Sequence, residues 1–180
     1  TWSDWNIDLP EGTYLSGGYN PDNNGNFFMI ATNNDNMVDR RLCKLNTSSD
    51  TIVLLDIDKV VETGVNDLGQ VFVANDNGIW HSVDEGENFE KIHDYLDVRD
   101  LYILGQDHNY MKVFGGLIYH FNNDGSDFQQ ITLPNPAHQI FDFAISAEGN
   151  IYHATYGIYR STNGVSDWEQ LPIEPGQFGD

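Results

Sequence analysis

Two aspartates each break an apolar run: Asp100 in Val98-Arg99-Asp100-Leu101 and Asp142 in Phe141-Asp142-Phe143. Carboxylates so placed on inward-facing strands could supply the acid and base of glycoside hydrolysis, which needs a pair across a cleft. The same groups could instead accept backbone hydrogen bonds, or, for Asp100, pair with Arg99. Asp67 and Asp107 are further candidates of this kind. Tyr14, Tyr19, Tyr110 and Tyr156 fall in or near segments rich in Gly and Asn, which predicts loop tyrosines able to stack on sugars and bond their hydroxyls. Packing against a neighbouring unit is the alternative role for them. His81, His93, His108, His120, His138 and His153 are scattered without an H-x-x-x-H spacing, so no metal site is expected. Asp22-Asn23-Asn24-Gly25-Asn26 has the oxygen-rich character of a calcium loop but lacks its closing Glu, and a β-turn is expected there. No cofactor is expected, with calcium the single candidate. No P-loop, GxGxxG or G-x-S-x-G occurs, and Cys43 stands alone in the apolar run Leu42-Cys43-Lys44-Leu45, as a small core residue would.

The formal charge of −20, from 8 Lys+Arg against 28 Asp+Glu, predicts repulsion from phosphate backbones and anionic membranes. Nucleic acid and membrane insertion are therefore not expected, and no apolar run is long enough for a spanning helix. Cation binding, a basic partner, a solvated acidic surface or adaptation to salt would each account for the charge. The chain opens at Thr1 without a Met, which predicts a piece of something longer.

Elements that could position these residues emerge from self-similarity. Gly69-Gln-Val-Phe-Val-Ala, Gly78-Ile-Trp80, Ser82, Asp84, Gly86 and Phe89 follow one another in the same order as Gly149-Asn-Ile-Tyr-His-Ala, Gly157-Ile-Tyr159, Ser161, Asn163, Gly164 and Trp168. A third copy runs from Gly116 through Tyr119, Phe121, Asn123 and Gly125 to Phe128. The closing aromatics Phe89, Phe128 and Trp168 are 39 and 40 residues apart. A fourth, degenerate copy holds Asn26–Thr32 and Arg41–Asn46, with Thr51 at the closing position. Ser3-Asp4-Trp5 to Leu9-Pro10 repeats only the closing segment, like Ser166-Asp167-Trp168 to Leu171-Pro172. Short alternating runs bounded by Gly, Asn and Asp predict strands, and no segment has a sustained helical period. Four short strands per 40 residues is the content of one propeller blade.

Ser82-x-Asp84-x-Gly86-x-x-Phe89 resembles the Asp-box of sialidase-type and related β-propellers, and the repeat extends the resemblance over most of the chain. The resemblance implies an all-β propeller of about four 40-residue, four-stranded blades. A stray closing strand would occupy 1–10, and the repeats about 11–57, 58–96, 97–135 and 136–175. It also implies a structural hairpin formed by Ser82, Asp84, Gly86 and Phe89, with Ser161, Asn163 and Trp168 at matching positions. Sialidase activity is not implied, because none of Arg40, Arg41, Arg99 and Arg160 lies in an Arg-Ile-Pro context.

Six to eight blades at this period would need roughly 240 to 340 residues. Three arrangements follow: a fragment, a ring completed in trans (a homodimer, for example), or an unusually small ring. The functional expectation is a non-catalytic binding module, extracellular or at a cell surface, for a glycan or protein ligand. A glycoside hydrolase using Asp100 and Asp142, or a scaffold in a surface or viral assembly, are the alternatives.

Overall fold

The computed structural model describes residues 9, 11–36, 39–94, 97–104, 108–134, 142–146, 148–154 and 157–172. The expected closing strand at 1–10 and Tyr156 lie outside the described residues. Sixteen strands form four four-stranded antiparallel sheets, each a simple meander, and the described residues include no helix. Blade one comprises β1 (Thr13–Pro21), β2 (Asn26–Asn33), β3 (Arg40–Asn46) and β4 (Thr51–Asp58). Blade two comprises β5 (Val60–Val65), β6 (Val71–Asn75), β7 (Gly78–Ser82) and β8 (Glu90–Asp94). Blade three has β9 (Val98–Ile103), β10 (Asn109–Val113), β11 (Ile118–Phe121) and β12 (Gln129–Gln130). Blade four has β13 (Asp142–Ile145), β14 (Ile151–Ala154), β15 (Ile158–Ser161) and β16 (Trp168–Gln170). First strands of successive blades pack together, β1 on β5 and β5 on β9, so these are the inner strands of the array.

Blade stacking explains the apolar character of the second strands. Side chains alternate across a sheet, and a central blade is covered on both faces. Val71 and Val73 on β6 therefore pack with Phe28, Ile30 and Leu42 of blade one, while Phe72 and Ala74 meet Met111, Val113 and Phe121 of blade three. Tyr110, Ile118 and Ile131 join Ile151, Ile145 and Trp168 across the next boundary. Met29, Ala31, Cys43 and Leu45 form a buried cluster on the remaining face of blade one, and burial pushes the Cys43 thiol up to about 11. Blade four differs at one repeated position. Leu42, Ile79 and Ile118 lie three residues before Leu45, Ser82 and Phe121 and are 0% exposed, whereas Ile158, three before Ser161, is 38% exposed.

The hairpin between β7 and β8 is held by its own polar side chains. Ser82 Oγ donates to Asp84 Oδ1 at 2.8 Å and accepts from the Gly86 N–H at 2.8 Å. The Asp84 carboxylate also accepts from Asn88 N–H at 2.9 Å and Asn88 Nδ2 at 2.7 Å. These donors, the Asn88 side chain foremost, lower the Asp84 pKa to about 2. The β15–β16 hairpin uses Asn163 in the same way: its Oδ1 accepts from Ser161 Oγ, Val165 N and Ser166 N. Trp168 then donates from Nε1 to Thr132 O of blade three at 2.8 Å. Ser82→Ala is expected to cost about 1–3 kcal/mol, because the buried Gly86 N–H loses its acceptor. A lower urea midpoint at unchanged slope would register it.

Candidate functional site

The starts of the inner strands bring residues from three blades to one register position. Glu62 of β5 pairs with Ala74, Asp100 of β9 with Lys112, and Asp142 of β13 with Ala154. Third-strand partners Trp80, Tyr119 and Tyr159 face Val73, Met111 and His153, so Ala74, Lys112 and Ala154 are equivalent positions. Glu62, Asp100 and Asp142 therefore occupy one register position in three successive blades. Gly17 of β1, opposite Ile30, holds that position in blade one.

Cations answer Asp100 and Glu62. Lys112 Nζ lies 3.3 Å from Asp100 Oδ2. Arg40, at the start of β3, donates from NH2 to Val61 O at 3.2 Å, which sets its guanidinium beside Glu62. Tyr14 belongs to the same end, since Thr32 pairs with both Tyr14 and Arg40. Desolvation raises the Glu62 pKa, the Asp100 charge adds to it, and the Thr63 N–H and Arg40 oppose it. A carboxyl with a raised folded pKa weakens the fold when ionised, and the penalty fades as pH falls toward its unfolded value. Because desolvation and Asp100 together outweigh Thr63 and Arg40, Glu62→Gln should raise the melting temperature at pH 7.5, with the gain shrinking toward pH 4.5. A gain that grows on acidification would contradict the assignment.

Placement of the other candidates is mixed. Tyr14 and Tyr19 are exposed, but both belong to β1 and not to loops. Tyr110 is not a loop residue either. It lies in β10, 1% exposed, across from Tyr102 and His120, and its hydroxyl would touch a side chain placed at Gly164. It is core, because the boundary between blades three and four needs a large side chain there. Asp22 accepts from the N–H groups of Asn24 and Asn26 and from Asn26 Nδ2, all within 2.8 Å, as a turn carboxylate does. Among the described residues no three His, Cys, Asp or Glu side chains are grouped to hold a metal. Glu62 escaped the sequence reading, although Val60-Val61-Glu62-Thr63 breaks an apolar run as Asp100 does.

A meander of four-stranded blades with converging first strands defines the β-propeller fold. No protein-family model matches the chain, and no curated protein sequence matches it. Solved structures do. YCF48 bound to a D1 peptide is 15% identical with a TM-score of 0.60, covering 91% of this chain and 55% of that one. A streptogramin B lyase is 15% identical with a TM-score of 0.62, covering 93% and 58%. The GH74 enzyme of Niastella koreensis is 16% identical with a TM-score of 0.61, covering 84% and 29%. The chain thus spans little more than half of the YCF48 structures, 55% and 59%. At such identities the likeness concerns the fold, and one fold here carries a peptide complex, a lyase and a glycoside hydrolase.

Proposed function

We propose that this chain is a non-catalytic binding module whose ligand face is the end of the array holding Tyr14, Arg40, Glu62, Asp100 and Lys112. The observation that carries this reading is the pairing of carboxylates with cations there. Lys112 on Asp100 and Arg40 near Glu62 make a polar, nearly balanced surface beside an exposed tyrosine. Such a surface suits hydrogen bonding to a glycan or a protein backbone. The complete Ser82–Phe89 hairpin supports grouping the chain with Asp-box propellers. An extracellular or cell-surface setting fits that grouping, and binding at this face requires no cofactor. The exposed Ile158 fits an array extended by further blades or by a second copy in a homodimer.

One observation favours the hydrolase as a second reading: burial raises the pKa of Glu62, which lies near Asp100, as a general acid requires. Glycan and peptide arrays probed with the wild-type chain and with Arg40→Gln/Asp100→Asn decide between the two. Binding that is lost in the double variant, with no reducing ends released from xyloglucan, supports the module. Sugar release abolished by Glu62→Gln would establish the hydrolase. Absence of both binding and cleavage would overturn both.

A further inference from the structure

At the outer side of the boundary between blades one and two lies a groove of about 380 Å³. Its aromatic walls are Trp80 and Phe89, both half-buried, and its rim carries Asp56, Asp58 and Glu87, all exposed. The Trp80 ring is fixed, because its Nε1 donates to Asn75 Oδ1 at 3.0 Å and Asn75 Nδ2 donates to Asp58 O at 3.2 Å. A preformed wall of this sort costs little ordering on binding.

None of the three rim carboxylates has an ion-pair partner among the described residues. All eight Lys and Arg side chains are engaged elsewhere: Arg41 with Asp39, Lys44 with Glu85, Lys59 with Asp76, Lys91 with Asp94, Arg99 with Asp97, Lys112 with Asp100, Arg160 with Glu169, and Arg40 beside Glu62. A fixed indole and phenyl under three unneutralised carboxylates is the chemistry that holds an alkylammonium or guanidinium group. We propose that this groove, apart from the inner-strand face, binds a basic side chain, Lys or Arg, of an extended peptide segment in a protein partner. The overall charge of −20 draws such a partner in, and the groove gives the attraction an address.

The test uses the full chain and a fluorescein-labelled Gly-Ser-Lys-Arg-Ser-Gly peptide, with a Gln-Gln peptide as control. Anisotropy at low salt should show saturable binding of the basic peptide only, weakening as salt rises. Asp56→Asn/Asp58→Asn/Glu87→Gln should weaken it tenfold or more. Glu11→Gln/Asp35→Asn/Asp67→Asn, which removes the same charge from exposed sites elsewhere, should change it less than twofold. In an NMR titration the Trp80 indole N–H, assigned by its loss in Trp80→Phe, should move with the same affinity. Equal weakening in the two triple variants would reduce the effect to general acidity and overturn the proposal. So would an unmoved Trp80 signal, or a groove that takes up a neutral glucan oligosaccharide in place of the basic peptide.

Discussion

Phe72→Ala should lower the unfolding free energy by about 3–5 kcal/mol, the usual cost of emptying a phenyl site in a packed interior. Phe72 is 0% exposed and sits where blade two meets blade three. Its ring stacks on His81 at 4.5 Å between centroids and meets Phe121 edge-on at 6.3 Å. Partial collapse is hindered, because Ala74, Ile79 and Met111 are held by their own strands. The vacated space would also admit water to His81, whose ring nitrogens lack hydrogen-bond partners and whose pKa burial holds low. A marginal domain holds only about 5–15 kcal/mol in all, so the variant should unfold at far lower urea, and its deficit should be smaller at pH 5.5 than at pH 7.5, because a hydrated His81 no longer resists protonation in the fold. Chemical denaturation followed by circular dichroism at pH 7.5 and pH 5.5 checks both parts. A loss under about 1 kcal/mol would mean that the boundary between these blades is not the packed interface described.

Gly86→Val ranks second, at about 2–5 kcal/mol, from two additive sources. Gly86 has φ of 86°, a region that a β-branched residue tolerates poorly. A Cβ there would lie 2.7 Å from Leu55 Cδ1 and 3.3 Å from Phe28 Cε1, so the turn would be pushed off blade one. Gly86→Ala keeps the backbone strain and the Cβ contacts, and Val adds its two γ-carbons to the clash. The Val variant should be the less stable of the two by thermal melting. Equal melting temperatures would show that the γ-carbons add nothing to the backbone strain and the Cβ contacts.

The propeller could be read from the sequence because each blade repeats the same punctuation. Gly-Ile-aromatic, then Ser or its substitute, then a turn acid or amide, marks the third strand and the hairpin after it, and β7 and β15 begin where that pattern places them. Even the degenerate copy gave strands, since Asn26–Thr32 and Arg41–Asn46 keep the alternation that two covered faces impose. Tyr110 was misread for a physical reason. Asn109 and nearby glycines suggest a loop, yet Asn109 is 0% exposed and donates from Nδ2 to Asn123 Oδ1, so the asparagine is a buried strand residue tied to the turn after β11. Glu62 and the Trp80 groove were hidden for another reason. Arg40 comes to Glu62, and Asp56 and Asp58 come to Trp80, only when one blade lies on the next, and local periodicity carries no record of inter-blade contacts.

Ile158 carries a consequence for how such a molecule can grow. At this position blade four keeps the apolar receptor that Leu42, Ile79 and Ile118 present to the blade that follows them, but here the receptor faces solvent. Beside it, Arg160 reaches Tyr152 and Glu169 of its own sheet, whereas the corresponding Lys44 of blade one reaches Glu85 in the hairpin of blade two at 2.6 Å. In the vocabulary of polymers, the exposed Ile158 is an open joint, a place that a unit of the same pattern could occupy without redesign of the units already in place. Copy number in a chain of this kind is then a matter of closure geometry and not of any one blade, which is how a single 40-residue unit can lengthen by duplication while every existing interface stays as it was.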